Sequence, residues 1–414
     1  MFAGGAGLLE ECMTAQAEKT GNVPEGAAST GTPYRDPAPF EVDAVGHHLQ
    51  IFPDGSDRLE ALLAMIGEAH ERLRIAFYIF ACDESGRKVR DALVEAARRG
   101  VAVTLIVDAF GAEADEEFFA ALTAAGGEFL CFQAKLTRRY LIRNHQKIVL
   151  ADGAVAMVGG FNVEDDYFAP PARNGWNDLA VRITGPVVER IGLWFDELED
   201  WVSQPDAQFR AIRDKVDEWD GGEAPMQVLI GGPTRGLSSW AKCVQRDLKE
   251  GDRLDMIMAY FSPPRKLCRR IERIARKGRT RLVMAGKSDN NATIGASRAL
   301  YGKLLDAGAK LAEFGACKLH TKLIVLDDAV YLGSANFDMR SLYVNLEIVL
   351  RIEDAAFADR MREFVDGFGP ASQEMTPEVY RGWKTPLTRL RWWASWLLVS
   401  VVDYNVSRKL NLGL

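Results

Sequence analysis

Two histidines stand out by the residues on their C-terminal side. The sequence contains five: His47, His48, His70, His145 and His320. His145-Gln146-Lys147 leads through Ile148-Val149-Leu150-Ala151 to Asp152, and His320-Thr321-Lys322 leads through Leu323-Ile324-Val325-Leu326 to Asp327. Both read H-x-K-x-x-x-x-D. Each precedes a glycine-led stretch that ends in asparagine, Gly159-Gly160-Phe161-Asn162 and Gly333-Ser334-Ala335-Asn336. With each charged residue near 6% of average usage, a Lys and an Asp at fixed offsets follow a given His by chance roughly once in 300. Two cases among so few histidines are not an accident of composition.

The spacing has a chemical reading. Residues two apart on a strand point to one face, so each motif presents an imidazole beside an ammonium. Asp152-Gly153 and Asp327-Asp328 read as hairpin turns into second short strands over 154–158 and 329–332. Asp152 and Asp327 are therefore expected to be structural and not proton donors. Two histidines, Lys147, Lys322, Asn162 and Asn336 around one point suit a phosphodiester. The lysines and asparagines would hold the non-bridging oxygens, one histidine would attack phosphorus, and the other would protonate the leaving alcohol. A nucleophilic imidazole must be neutral, with its other nitrogen engaged. Asp178 (within 176–181) and Glu347 (within 345–349) occupy comparable places after the two motifs and are candidates for that role. No carboxylate cluster accompanies the motifs, so neither a metal nor another cofactor is expected.

The elements that must position these groups also occur twice. In the first half, an amphipathic helix over 58–71 precedes an apolar strand over 74–80. A helix then ends at Gly100, a strand covers 101–107, and a helix over 118–125 stops at Gly126-Gly127. In the second half, a strand over 253–261 precedes a helix ending at Gly278, a strand over 281–285, and a helix over 300–307 stopped by Gly308. Strands and helices in this order predict α/β halves, each a mixed sheet flanked by helices, with the site at their interface. The expected organisation is a disordered leader over 1–45, a first domain over 46–222, a second over 223–370, and a basic, Trp-rich tail over 371–414.

Bulk properties narrow the function. At 414 residues the chain suits two domains, and its 48% hydrophobic and 26% charged content is that of a globular protein. The net charge of -7 argues against nucleic acid as partner. The cysteines show no C-x-x-C spacing and read as reduced thiols of a cytoplasmic protein. No secretory leader and no membrane span are expected.

On these residues the chain resembles the phospholipase D superfamily, whose members carry two H-x-K-x4-D motifs on a pseudo-symmetric α/β sandwich. The likeness runs from His48 to about Val365. Within that superfamily it is most similar to the bacterial cardiolipin synthases. The resemblance is carried by Asn144-His145-Gln146-Lys147 with Gly159-Gly160-Phe161-Asn162, by Gly333-Ser334-Ala335-Asn336-Phe337-Asp338-Met339-Arg340-Ser341-Leu342 with Asn345-Leu346-Glu347, and more weakly by Ala259-Tyr260-Phe261-Ser262-Pro263. It implies transfer of a phosphatidyl group through phosphohistidine to phosphatidylglycerol, with His145 as nucleophile and His320 as general acid and base. It also implies that Ser334 contacts substrate, and that the contact is missing at its counterpart Gly160. The same residues serve a hydrolytic phospholipase D or a nuclease of this superfamily. The chain resembles the type without N-terminal membrane spans.

An enzyme of that kind must reach a bilayer. Arg381, Lys384, Arg389 and Arg391 precede or flank Trp392, Trp393 and Trp396, and Arg408 and Lys409 come after them. Basic residues beside tryptophan suit an interfacial helix on an anionic surface, and a terminal helix docked through its tryptophans has the same pattern. Lys135, Arg138, Arg139 and Arg143 form a second basic group before the first motif. The expected setting is peripheral, on the cytoplasmic side of the cell membrane, with phosphatidylglycerol and the membrane surface as partners.

Overall fold

Each repeat builds one eight-stranded sheet in the computed structural model, which describes residues 34–133, 142–204 and 209–402. The first sheet contains β1 (Phe40–Ala44), β2 (His47–Phe52), β3 (Arg72–Phe77), β4 (Ala102–Asp108), β5 (Glu128–Phe132), β6 (Ile148–Ala151), β7 (Val155–Gly159) and β8 (Ala180–Thr184). The second contains β9 (Met226–Gly231), β10 (Leu254–Met258), β11 (Thr280–Ala285), β12 (Lys310–Phe314), β13 (Lys322–Leu326), β14 (Ala329–Gly333), β15 (Glu347–Glu353) and β16 (Ser372–Glu374). The strand orders are β1-β2-β8-β7-β6-β3-β4-β5 and β9-β15-β14-β13-β10-β11-β12-β16. Without the edge strands β1 and β16 the two orders superimpose strand for strand. In each repeat the β3- and β10-type strands lie parallel to their next two neighbours and antiparallel to the strand that bears the motif.

Helices cover both faces. Helices α1 (Gly55–Glu68) and α2 (Glu84–Arg98) pack outside the first sheet through Leu62, Ile66, Val89 and Leu93. Between the sheets, α3 (Val187–Ser203) contributes Ile191, Trp194 and Leu198 to a core shared with strands of both repeats. Outside the second sheet lie α4 (Ser239–Glu250), α5 (Arg265–Ala275) and α6 (Asn291–Asp306). The partner of α3 in the central layer is α7 (Ala355–Asp366), through Phe357, Met361 and Phe364. The chain continues with α8 (Pro377–Trp383) and α9 (Pro386–Leu397), which lie on the second half. The result is two mixed sheets back to back around one apolar layer, as the doubled pattern predicts. No helix among the described residues is long and apolar enough to cross a membrane.

Two expected boundaries need correction. Order does not wait for residue 46: β1 pairs with β2 over Phe40–Ala44, Tyr34 packs edge-on to Phe314 at 5.0 Å, and Phe40 meets Phe364 at 6.4 Å. The segment looked featureless because its few aromatic residues bury against the other repeat, which periodicity along the chain does not reveal. Residues 1–33 lie outside the described residues. Nor does the second domain end at 370, since β16 pairs with β12 and so extends the sheet.

Candidate active site

Both motifs sit where the repeats meet. Asn144 bridges to Leu346, and the His145 amide donates to the Leu346 carbonyl at 2.9 Å. The equivalent contact in the other motif pairs Lys318–Leu319 with Trp176–Asn177, and the His320 amide donates to the Asn177 carbonyl at 2.7 Å. Each histidine segment is thus laid against the segment that carries the other repeat's carboxylate. The middle residues of the motifs tighten this contact. Gln146 donates to the Glu347 carbonyl at 3.1 Å and accepts from the Trp194 indole at 3.0 Å, and Thr321 Oγ1 donates to Asn177 Oδ1 at 2.8 Å.

The carboxylates consequently cross. His145 Nδ1 lies 3.0 Å from Glu347 Oε2, and His320 Nδ1 lies 2.6 Å from Asp178 Oδ2. Each carboxylate accepts a hydrogen bond from Nδ1–H, which leaves the Nε2 lone pair of each ring for chemistry. Burial pushes both imidazoles below their ordinary range and so favours the neutral form. Burial opposes the Asp178 charge, yet the facing imidazole, Lys322 and Arg58 outweigh it and hold that carboxyl below its usual range.

Lys147 and Lys322 are buried beside their histidines, and each ammonium donates to the carbonyl of the histidine two residues earlier. Burial, ahead of any neighbouring charge, lowers Lys147 to about 7 and Lys322 to about 8. Both lysines have Asp178 and Glu347 among their electrostatic neighbours, and Lys147 also feels Lys322, so the four charges share one centre. Asn162 Oδ1 accepts from the Ile79 amide at 3.1 Å. Asn336 Oδ1, Glu347 Oε1 and both side-chain polar atoms of Asn144 are buried with no hydrogen-bond partner among the described residues. Buried acceptors left open in this way are suited to a ligand or ordered water.

Asp152 and Asp327 stand at the far ends of the motif strands. Both adopt left-handed backbone, with φ of 53° and 49°, which aspartate tolerates at a tight turn. Their carboxylates reach outward. Asp152 accepts from the amides of His70, Glu71 and Arg72, and Asp327 from those of Asp252 and Arg253. They tie each hairpin to the chain entering β3 and β10.

Ser334, an expected substrate contact, lies against the carboxylate behind His145. Ser334 is fully buried; its hydroxyl donates to Glu347 Oε2 at 2.5 Å and accepts from the Ile348 amide at 3.1 Å. Its hydrogen bonds hold the carboxylate behind His145, because the side chain points back across β15. At Gly160 a Cβ would stand 2.5 Å from Asp178 Oδ1, so the glycine makes room for the other carboxylate. Ser334 and Gly160 thus each meet the carboxylate that stands behind one of the histidines.

Of the aromatic residues around this centre, sequence reasoning singled out only Tyr260, within the weaker stretch of resemblance. The Tyr78 ring lies 5.0 Å from His145, while Tyr167, Trp176 and Tyr260 ring His320 at 5.1, 5.3 and 6.4 Å. The Tyr167 hydroxyl is 3.4 Å from His320 Nε2. Arg58 is fully buried on α1 and donates to the carbonyls of Asp178 (2.6 Å) and Tyr167 (2.8 Å). A lone arginine on an amphipathic helix carries no signal of such burial; Trp176, two residues before Asp178, was open to notice. Of the basic group before the first motif, Lys135, Arg138 and Arg139 lie outside the described residues, and the Arg143 guanidinium stacks 3.1 Å over Phe110.

A pseudo-symmetric pair of mixed sheets meeting at two H-x-K segments defines an enzyme of the phospholipase D superfamily. A family model described as "Cardiolipin synthase, PLD-like domain" matches residues 62–198 and 245–367, more than half the chain, and the chain belongs to that family. It is 29% identical to cardiolipin synthase B of Escherichia coli (strain K12) over 359 residues, 84% of this chain and 85% of the relative. To the major cardiolipin synthase of Bacillus subtilis (strain 168) it is 31% identical over 327 residues, 76% of this chain and 67% of the relative. The fold is shared with the phosphatidylserine synthase of Haemophilus influenzae Rd KW20, with a TM-score of 0.70 at 13% identity over 88% of this chain and 97% of the other.

Proposed function

We propose that the protein is a metal-independent phosphatidyltransferase that makes cardiolipin from two molecules of phosphatidylglycerol. The observation that carries this reading is the crossed pair of histidine–carboxylate contacts, with two buried ammonium groups beside them. His145 Nε2 attacks the phosphorus of the first lipid, and the P–O bond to its glycerol headgroup breaks. His320 gives that glycerol oxygen its proton. The phosphatidyl group now rests on His145. A hydroxyl of the second phosphatidylglycerol loses its proton to His320 and attacks phosphorus, which breaks the N–P bond, restores His145 and yields cardiolipin.

Two asymmetries support this division of labour. The His145 side chain is 12% exposed against 5% for His320, and only His320 has a tyrosine hydroxyl facing its Nε2 among the described residues. His320 begins neutral; a phosphodiester anion entering between the lysines raises its proton affinity, so that Nε2 takes up a proton from water as substrate binds and gives it to the departing glycerol oxygen. Lys147 and Lys322 supply the positive charge that a metal would otherwise bring. Asn162 and Asn336 orient the non-bridging oxygens, while Asp152 and Asp327 hold the hairpins.

Purified protein incubated with phosphatidylglycerol vesicles in EDTA is expected to release glycerol and form cardiolipin, resolved by mass spectrometry. Phosphatidic acid as the only product would make water the acceptor and defeat the transferase reading. Loss of all turnover in EDTA, restored by a divalent ion, would defeat metal independence.

The lysines predict a pH dependence. A lysine with a lowered pKa is charged below that value and loses its charge as pH rises through it. With Lys147 at about 7 and Lys322 at about 8, kcat/KM on dispersed lipid should hold in mild acid and fall as pH rises from about 7 to about 8. A flat profile over that interval would mean that the ammonium charges are not used.

A further inference from the structure

The helix α9 has two unlike faces. On one, Trp392 is buried and stacks on Tyr380 with ring centres 5.6 Å apart. Ser395 presses so near Gly295 of α6 that a Cβ there would meet its Oγ at 2.7 Å. On the other, Leu387 is 66% exposed, Leu390 61%, Trp393 55% and Leu398 43%. At about 100° per residue these four fall within one arc, with Arg389 at one margin and Arg391 at the other. Few other large apolar side chains among the described residues are this exposed.

A cleft of about 560 Å³ opens between α6 and the start of α9. Lys303, Lys384 and Arg389 line it together with Tyr380, Trp393 and a single carboxylate, Asp306. It therefore offers three cations against one anion, beside aromatic rings, at the foot of the apolar arc.

The far end of α9 also lies near the active site. The cleft joins the start of α9 to the end of α6, and Ser395 lies on Gly295 near the beginning of α6, so the two helices run antiparallel. Helix α6 begins just after Asp289, which accepts from the Tyr260 hydroxyl at 2.9 Å, and the Tyr260 ring is one of those around His320. Arg265, at the start of α5 and a few residues after Tyr260, lies 5.8 Å over the Trp396 ring. The far end of α9 thus lies beside the segments that carry Tyr260 and Asp289, next to His320.

We propose that the outer face of α9 docks the enzyme on an anionic phospholipid bilayer. The leucines and Trp393 enter the interfacial layer, and the Lys303–Lys384–Arg389 cleft receives a lipid phosphate separate from the one that reacts. The two margins of arginine suit this: their stems lie along the apolar arc and their guanidinium groups reach lipid phosphates. Docking in this pose brings the catalytic mouth toward the layer that holds the substrate. The proposal deepens the phosphatidyl-transfer reading and rests on it for the purpose of docking, though its test does not need turnover.

Truncation after Thr385 would strip Trp392 from Tyr380 and damage the second half, so the test is made in the full chain with exposed residues alone. Two variants serve: Leu387→Ser/Leu390→Ser/Trp393→Ser for the arc, and Lys303→Ala/Lys384→Ala/Arg389→Ala for the cleft. Each is sedimented with sucrose-loaded vesicles of phosphatidylglycerol mixed into phosphatidylcholine, and with phosphatidylcholine alone. The unaltered protein should bind the mixed vesicles, less so at high salt, and phosphatidylcholine only weakly. The cleft variant should lose on the order of 10²-fold in binding to the mixed vesicles, because each basic residue near an anionic surface is worth about fivefold. The arc variant should lose binding to both. Turnover of short-chain phosphatidylglycerol below its micelle threshold is measured alongside, and both variants should match the unaltered protein.

Vesicle binding equal in all three proteins overturns the docking surface, and undiminished turnover of dispersed lipid leaves the transferase reading standing. Vesicle binding as expected with no lipid turnover supports the surface and removes the transferase reading. A lipid-free dimer that the arc variant abolishes, with no vesicle binding by the unaltered chain, assigns the face to a second copy and overturns the proposal.

Discussion

Given a lipid whose leaving group is 4-nitrophenolate, His320→Ala releases a single burst of product and stops, whereas His145→Ala releases none. The difference arises from which bond needs a proton. Nitrophenolate departs unprotonated at neutral pH, so attack by His145 Nε2 goes forward without the acid. The second step still needs a base to activate the acceptor hydroxyl, and without His320 the phosphatidyl group stays on His145. The burst should equal one nitrophenolate per protein, and mass spectrometry of an alkaline digest should place the adduct on the peptide containing His145. With phosphatidylglycerol itself, whose glycerol must be protonated to leave, both variants should fall by roughly 10⁴-fold. A burst from His145→Ala and none from His320→Ala would reverse the roles. Steady turnover by both would remove the covalent mechanism.

The second large effect comes from the crossing of the carboxylates. Glu347→Gln replaces the acceptor behind His145, and the amide then stabilises the wrong tautomer or none. The rate of the nitrophenolate burst should fall by about 10² to 10⁴, the range seen when a carboxylate behind a catalytic histidine becomes an amide. Asp178→Asn stands behind His320 and should leave the burst within several-fold while steady turnover of phosphatidylglycerol collapses. Stopped-flow absorbance separates the two phases. Had each histidine been served by the carboxylate of its own repeat, the two variants would exchange behaviours. Ser334→Ala gives a milder version of Glu347→Gln, since the carboxylate keeps its charge and loses one donor.

The chemistry-bearing residues were readable because their relations are local. Imidazole, ammonium and turn aspartate lie within eight positions of one another, and the β-strand period fixes their faces. Asp178 and Glu347 were readable as a repeated placement. Their crossing was not, because His145 and Glu347 are 202 residues apart and His320 and Asp178 are 142 apart. Nothing along the chain distinguishes a partner in the same repeat from one in the other. Arg58 failed for a related reason: its donors are spent on main-chain carbonyls 109 and 120 residues away, so its burial is decided by atoms that carry no sequence label. Tyr34 and Phe40 were passed over because two aromatics in a polar, proline-bearing stretch show no period. The contact of Ser334 with Glu347 was not readable, because a hydroxyl beside a reactive centre reads alike whether it faces substrate or the carboxylate behind the histidine. The basic, Trp-rich terminus supported a docked helix and an interfacial one equally, and α9 is docked by Trp392 while it presents Leu387, Leu390 and Trp393 outward.

The crossed contacts also bear on ancestry. A chain made of one repeat alone would carry an imidazole with no carboxylate behind it and a carboxylate with no imidazole in front. It could be complete only by borrowing from a second copy of itself, each completing the other. Any single-repeat forebear that used this chemistry therefore worked as a symmetric homodimer. With both repeats in one chain the copies need not be alike, and Gly160 against Asp178 and Ser334 against Glu347 is one place where they are not.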